Sequence, residues 1–210
     1  MPSIIQKAET FVIPLLKSLK PEYTFHNFDH TEEVVEATYH LAHQEGVVAE
    51  ELEILLLSAW FHDTGFQTKY QGHERESIRI AQDFLKSQGY SALGINEVTK
   101  CIQATKLPQK PTTKLAEILC DADLHHLATP NYIFKTKLLR SEWKHILNNT
   151  YSDLEWHFCN LNFFNHHNYH SNYGKVVLKS LKRKNYLKIF KEFMRMMVIP
   201  REPSIISYKS

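Results

Sequence analysis

An all-α fold in a single domain is predicted by three observations on the 210-residue chain. Apolar residues recur at three- and four-residue intervals along nearly all of it. No run of β-branched residues alternates with polar ones for long enough to make a strand. Glycines and prolines fall between the periodic stretches, where helices have to stop. With 43% hydrophobic residues and no long low-complexity stretch, the chain can bury a substantial core without disulfides.

The elements follow in order. Residues 4–19 are amphipathic, with Pro14 kinking the helix or ending a first short one. Asn27 or Asp29 caps a helix running to about Gln44, whose first turn carries Glu32 and Glu33 near the positive end of the dipole. Gly46 ends it. Helices are expected at 49–63, 72–88 and 95–105, separated by Gly65, Gly89 and the stretch 108–111. Four more are expected at 114–127, 132–147, 154–166 and 174–197. Beyond Ile199, two prolines and a run of Ser and Ile predict an extended or disordered tail. The expected organisation is an N-terminal helix (1–24) packed on a central core (25–130), covered by C-terminal helices (131–198) and followed by the tail (199–210).

Composition narrows the function classes. Cys101, Cys120 and Cys159 are odd in number and widely spaced, so neither a disulfide framework nor a thiolate zinc motif is expected. The most apolar run, 54–61, falls short of the roughly 20 residues that span a bilayer. The first eight residues lack the basic start and cleavage site of a secretory signal. A cytoplasmic protein with no membrane partner is expected. Charge is uneven: residues 1–105 carry 8 Lys/Arg against 15 Asp/Glu, and residues 106–210 carry 17 against 8. Lys175, Lys179, Lys182, Arg183, Lys184, Lys188 and Lys191 interleave with apolar residues as one basic helix face. A solvated face is the preferred reading, ahead of attraction to a nucleotide, nucleic acid or acidic partner.

The chemistry lies in four positions. His30, the pair His62-Asp63 and an aspartate of Asp121-Ala122-Asp123 are separated by about 32 and 60 residues, so they meet only if several helices bring them together. Two imidazoles and two carboxylates form a mixed nitrogen and oxygen site that leaves positions on a divalent ion for water and a phosphate oxygen. Such an ion acidifies its water and neutralises phosphoryl charge, with no need for a serine or cysteine nucleophile. Apolar runs lead into these polar groups: Leu55 to Phe61 into His62-Asp63-Thr64-Gly65, and Ile118-Leu119-Cys120 into Asp121. Delivering polar side chains to an interior point is costly unless they find a partner there.

On these residues the chain resembles the HD superfamily of metal-dependent phosphohydrolases, whose signature is a distant His, a His-Asp pair and a distant Asp. The resemblance covers roughly residues 25–127 and implies an all-α helical bundle of the HD-domain type. It assigns His30, His62, Asp63 and Asp123 as metal ligands, Asp123 being preferred to Asp121 because the last ligand commonly stands second in an Asp-x-Asp. The stretches His62-Asp63-Thr64-Gly65-Phe66, Gly72-His73-Glu74-Arg75-Glu76-Ser77 and Ala104-Thr105-Lys106-Leu107-Pro108-Gln109 are similar to those of small bacterial HD proteins and of HD modules in Pycsar defence effectors. Two-metal relatives add two further histidines. His73 is placed to be the first, but Ile102 to Lys106 holds no histidine for the second, so one ion is expected and a second is left open. Gly65-Phe66-Gln67 replaces the Glu-Asp pair of alarmone hydrolases, which disfavours guanosine tetraphosphate as substrate.

The expected function is hydrolysis of a phosphate ester, a nucleotide or cyclic nucleotide, by water activated on one divalent ion. Manganese, iron, nickel, zinc and magnesium are all compatible with His and Asp ligands. Glu74 or Glu76 is the candidate to orient the water, and His73, Lys106 and Arg75 are candidates for phosphate contact. The competing reading is a regulatory module that binds metal and nucleotide without turnover. Nucleic acid is not expected as a partner, and oligomeric state is open. Segment 156–173 is read as an aromatic packing layer, with base stacking on Phe164, Tyr169 or Tyr173 as the lesser reading. His166 and His170 stand at the spacing of a helical metal pair but lack further ligands nearby. Of His125 and His126, one is expected to face the site.

Overall fold

A computed structural model describes residues 2–198, and the expected tail lies outside these residues. Among the described residues there are nine α-helices and no strand: α1 Ile4–Lys17, α2 Phe28–Gln44, α3 Ala49–Phe61, α4 His73–Ser87, α5 Ala92–Thr105, α6 Lys114–Asp123, α7 Tyr132–Ile146, α8 Asp153–His166 and α9 Lys179–Val198. Short 3-10 turns at Thr64–Gln67 and His125–Ala128 and a π turn at Gly174–Leu178 complete the order. No helix among the described residues is long and apolar enough to cross a membrane.

Local chemistry sets the helix starts. Ser3 and Ser152 form capping boxes with Gln6 and Glu155, and the Thr113 hydroxyl accepts from the Ala116 N–H. Asn27, rather than Asp29, caps α2 by accepting from the His30 N–H at 3.2 Å. Ser91 caps α5, so that helix begins three residues before the periodicity alone predicts. Pro14 lies within α1, which continues to Lys17. The helix expected at 114–127 instead stops at Asp123 and passes into a 3-10 turn, which puts the Asp123 carboxylate at a helix terminus.

α3 is the centre of the packing. Leu55, Leu57, Ala59 and Phe61 are fully buried and Trp60 nearly so; a helix apolar on every side must be enclosed by others. On one side Leu55 and Ala59 join Leu41 of α2, Cys101 of α5 and Ile118 and Leu119 of α6. On the other, Leu57 and Phe61 meet Val12 and Leu16 of α1, Leu85 of α4 and Ile102 of α5. Each such side chain contributes about 1.5–3 kcal/mol by leaving water. A third cluster, Leu127, Tyr132, Phe164 and Ile189, ties α7, α8 and α9 to the turn after α6. Phe164 and Tyr169 therefore belong to the interior, and the Tyr169 hydroxyl donates to the Leu124 carbonyl, which leaves neither ring free for base stacking. α8 ends at His166, so His170 is not on the same helix and the metal-pair spacing has no counterpart in three dimensions.

Asp121 and Asp123 have different partners because residues two apart on a helix face nearly opposite ways. Asp121, fully buried, accepts from the His170 N–H (2.7 Å), the Ser171 N–H (2.9 Å) and the Ser171 hydroxyl (2.7 Å), fastening the segment that leads into α9. Gly174 makes this approach possible: a Cβ there would lie 2.0 Å from Asp121 Oδ2 and 2.8 Å from Tyr169 Cβ. Gly174→Ala is expected to cost about 1–3 kcal/mol by overpacking. In a thermal melt, the midpoint should fall by roughly 2–4 °C per kcal/mol; an unchanged midpoint would contradict this account of the latch.

Candidate metal centre

Three helix ends converge on one point. His30 lies in the first turn of α2, His62 and Asp63 directly follow α3, and Asp123 is the last residue of α6. Ligand atoms of His30, His62 and Asp123 all lie within 4.8 Å of one another. Asp63 Oδ2 is 3.5 Å from His30 Nε2 and 3.3 Å from His62 Nε2. Asp123 Oδ1 is 3.4 and 3.8 Å from the same two nitrogens. Nitrogen and oxygen ligands sit about 2.0–2.2 Å from a zinc-like ion, so neighbouring donors of one shell lie roughly 3–3.5 Å apart.

The burial pattern supports the same assignment. His30 Nε2, His62 Nε2 and Asp63 Oδ2 are buried with no hydrogen-bond partner. A buried polar atom without a partner costs about 1–3 kcal/mol, and three from separate positions facing one point are explained by a cation. The residues present thus fit a divalent ion. His62 Nδ1 donates to the Ala59 carbonyl at 2.7 Å, which fixes the tautomer that leaves Nε2 as the ligand atom. Burial would lower the His62 pKa, but Asp63 and then Asp123 outweigh it and bring it to about 9. Burial likewise opposes ionisation of Asp63, yet His62 and His73 hold its pKa well below the usual carboxylate range.

His73 stands beside the four. Its Nε2 is 3.3 Å from Asp63 Oδ1, its Nδ1 donates to the Tyr70 carbonyl at 3.0 Å, and its ring stacks on Phe66 with centroids 3.8 Å apart. Two glycines permit this. Gly72 at the N-cap of α4 has φ +74°, and a Cβ on Gly65 would lie 2.0 Å from the His73 carbonyl oxygen.

A second layer escaped the sequence reading. Glu142 of α7, fully buried, accepts through Oε2 from the Phe25 N–H (2.7 Å) and the His26 N–H (2.9 Å). Its Oε1 accepts from the Tyr70 hydroxyl at 2.7 Å and from His26 Nδ1. Burial raises the Glu142 pKa, but the hydrogen bond and charge of His26 prevail and hold it below the ordinary value. The His26 ring, with Nε2 as its free nitrogen, has its centroid 5.7 Å from that of His30 and 6.4 Å from that of His73. The one available signal was His26 four residues before His30; Glu142 carries none, being more than 110 residues away along the chain.

The remaining candidates are placed less centrally. Glu74 is half-buried in the first turn of α4 next to His73, while Arg75 and Lys106 are exposed, with no ion pair among the described residues. Glu76 pairs with Lys69 (3.3 Å) and Arg79 (3.1 Å), a surface role that removes it as the water-orienting group. The His126 ring is 6.5 Å from that of His30, with Nδ1 3.3 Å from the Asp123 carbonyl oxygen.

Metal uptake has a readable signature. Manganese added to the chelator-treated protein at about 100 times its Kd should stabilise it by about 2.7 kcal/mol. Without metal, the raised His62 pKa contributes stability that is full below the unfolded value of 6.5 and is lost as pH rises through about 9. An ion must displace that proton, so its apparent affinity should rise from pH 6 to pH 8. Thermal melts at both pH values check this; a shift that is pH-independent, or that survives Asp123→Ala, contradicts the assignment.

Comparison with known proteins agrees with this geometry. The profile of the HD domain family matches residues 27–128. A crystal structure described as a predicted HD superfamily hydrolase, from an uncultured Thermotogales bacterium, superposes with a TM-score of 0.58 over 91% of this chain and 90% of that one, at 16% identity. No curated protein matches the chain. The segment from residue 27 to residue 128 thus matches the HD domain family, and the chain shares its all-α fold with that solved structure.

Proposed function

We propose that the protein is a phosphohydrolase that cleaves a phosphate ester, a nucleotide or cyclic nucleotide, with a divalent ion held by His30, His62, Asp63 and Asp123. The observation that carries this reading is the set of three buried donor atoms without hydrogen-bond partners, beside an Asp123 side chain that keeps 17% exposure and so links the centre to solvent. The ion, when bound, supplies Lewis-acid charge for the phosphoryl group and lowers the pKa of water. His73 Nε2 engages Asp63 Oδ1 and leaves Oδ2 beside His30 and His62, where it would help to hold an ion. Glu74, beside His73, is the carboxylate nearest in sequence to take a proton from water. His26, fixed through Nδ1 by Glu142, in its doubly protonated form gives its Nε2 proton to the leaving oxygen and becomes the neutral imidazole. Arg75 and Lys106, both exposed cations, are the candidates to contact the phosphate.

Product formation from a panel of nucleotides and cyclic nucleotides with manganese tests the proposal. His62→Ala and Asp63→Ala should each lower the rate at least about 100-fold, since even outer-shell changes cost 10–100-fold. His26→Ala should lower kcat on the order of 100-fold while leaving manganese affinity unchanged. Tight nucleotide binding with no product over hours would overturn the hydrolase in favour of a binding module.

A further inference from the structure

A groove of about 350 Å3 runs between α2 and the start of α7, and none of its residues apart from His30 and Asp123 has been given a role. His30 and Asp123, two of the four proposed ligands, are among its lining residues, so it borders the candidate metal centre, where the buried Nε2 of His30 has no hydrogen-bond partner. Val34, Ala37 and Ala122 give it an apolar wall. Its rim is polar, with Glu33, Glu36 and Asn131. Small-molecule sites combine these features, an apolar surface for a ring and a few polar groups for orientation.

The charge of the rim limits what can lie there. Lys135 is the one Lys or Arg lining the groove, and its Nζ is 2.6 Å from Glu33 Oε1, so its charge is already matched. Glu36 has no ion-pair partner among the described residues. His40, His125 and His126 also line the groove; with histidines neutral, its Lys and Glu side chains leave the rim net negative, and Glu36 is the rim carboxylate outside an ion pair that can accept from hydroxyl or amino groups. A phosphate placed in it would meet Glu36 and would have to separate Lys135 from Glu33.

We propose that this groove receives the leaving-group part of the substrate and that Glu36 selects a hydroxyl-bearing ring with no phosphate of its own, so that a nucleoside with one phosphate is preferred over one with more. The proposal rests on the hydrolase reading of the centre. The reacting phosphate sits at the ion, the nucleoside ring lies on Val34, Ala37 and Ala122, and Glu36 accepts from its hydroxyls. A second phosphate on the same nucleoside is held beside Glu36 and repelled. Interaction of such charges a few ångströms apart at a partly solvated rim corresponds to selectivity on the order of tenfold.

Adenosine 5′-monophosphate and adenosine 3′,5′-bisphosphate, each with manganese, test this, because whichever phosphate of the second compound reacts, the other remains on the leaving group. The wild-type protein should show kcat/KM roughly tenfold higher for the monophosphate. Glu36→Lys, at an exposed position, should bring the two within about twofold, mainly through KM for the bisphosphate. Glu32→Lys, the same charge change on the same helix but outside the groove, should leave the ratio as in wild type. A wild-type preference for the bisphosphate, or equal effects of Glu36→Lys and Glu32→Lys, overturns the proposal. Equilibrium binding of the two compounds to the manganese-loaded protein reads the same ratio without turnover. A protein that forms no product yet prefers the monophosphate through Glu36 overturns the hydrolase reading and keeps the groove assignment; an active protein with no such preference does the reverse.

Discussion

Three buried donor atoms left without hydrogen bonds, on His30, His62 and Asp63, are the constraint around which the rest of this molecule is arranged. With neither a proton nor a cation between them, such atoms cost on the order of 1–3 kcal/mol each. The packing of α3 between two apolar clusters offsets that cost, and it does so at the residues immediately before His62 and Asp63. All four proposed ligands lie in the first turn of a helix, at its end, or just past it. A side chain there can reach beyond the helix, where three helices meet, while the backbone stays hydrogen-bonded.

Orientation comes from groups outside the proposed ligand set. The Ala59 carbonyl sets the tautomer of His62, the Tyr70 carbonyl that of His73, and Glu142 that of His26. In His62 and His26 this leaves Nε2 as the free nitrogen, and in His73 it leaves Nε2 to meet Asp63 Oδ1. The Asp63 carboxylate is divided between His73 on one oxygen and the histidines of the ligand set on the other. Gly65 is required there by the close approach of the His73 backbone, and Gly72 by its positive φ at the start of α4.

The C-terminal helices take part in this arrangement. α7 supplies Glu142 to the segment before α2, and the turn before α9 is fastened to Asp121, two residues from a ligand. Lys182 of α9 donates to the carbonyls of Phe164 and His167 and so closes the end of α8. Separate polar latches thus connect the outer helices to the metal-bearing ones, and α7 also borders the groove that opens at Asp123.

The all-helical class, the order of the elements and the convergence of His30, His62 and Asp123 were legible in the chain, because helical periodicity and the His-Asp pair are local patterns that survive any packing. Starts and stops were legible to within a few residues; α5 and α6 differ because Ser91 capping and the turn after Asp123 compete with periodicity. The choice of Asn27 over Asp29, the loss of the His166 and His170 spacing, and the surface pairing of Glu76 were decided by packing. So were the His26, Tyr70 and Glu142 network and the acidic groove. Those features join residues up to 117 positions apart, as between Phe25 and Glu142. Sequence pattern describes which face of a helix is apolar, but which polar group meets which across the interior depends on how the helices cross, and only the tertiary structure determines that.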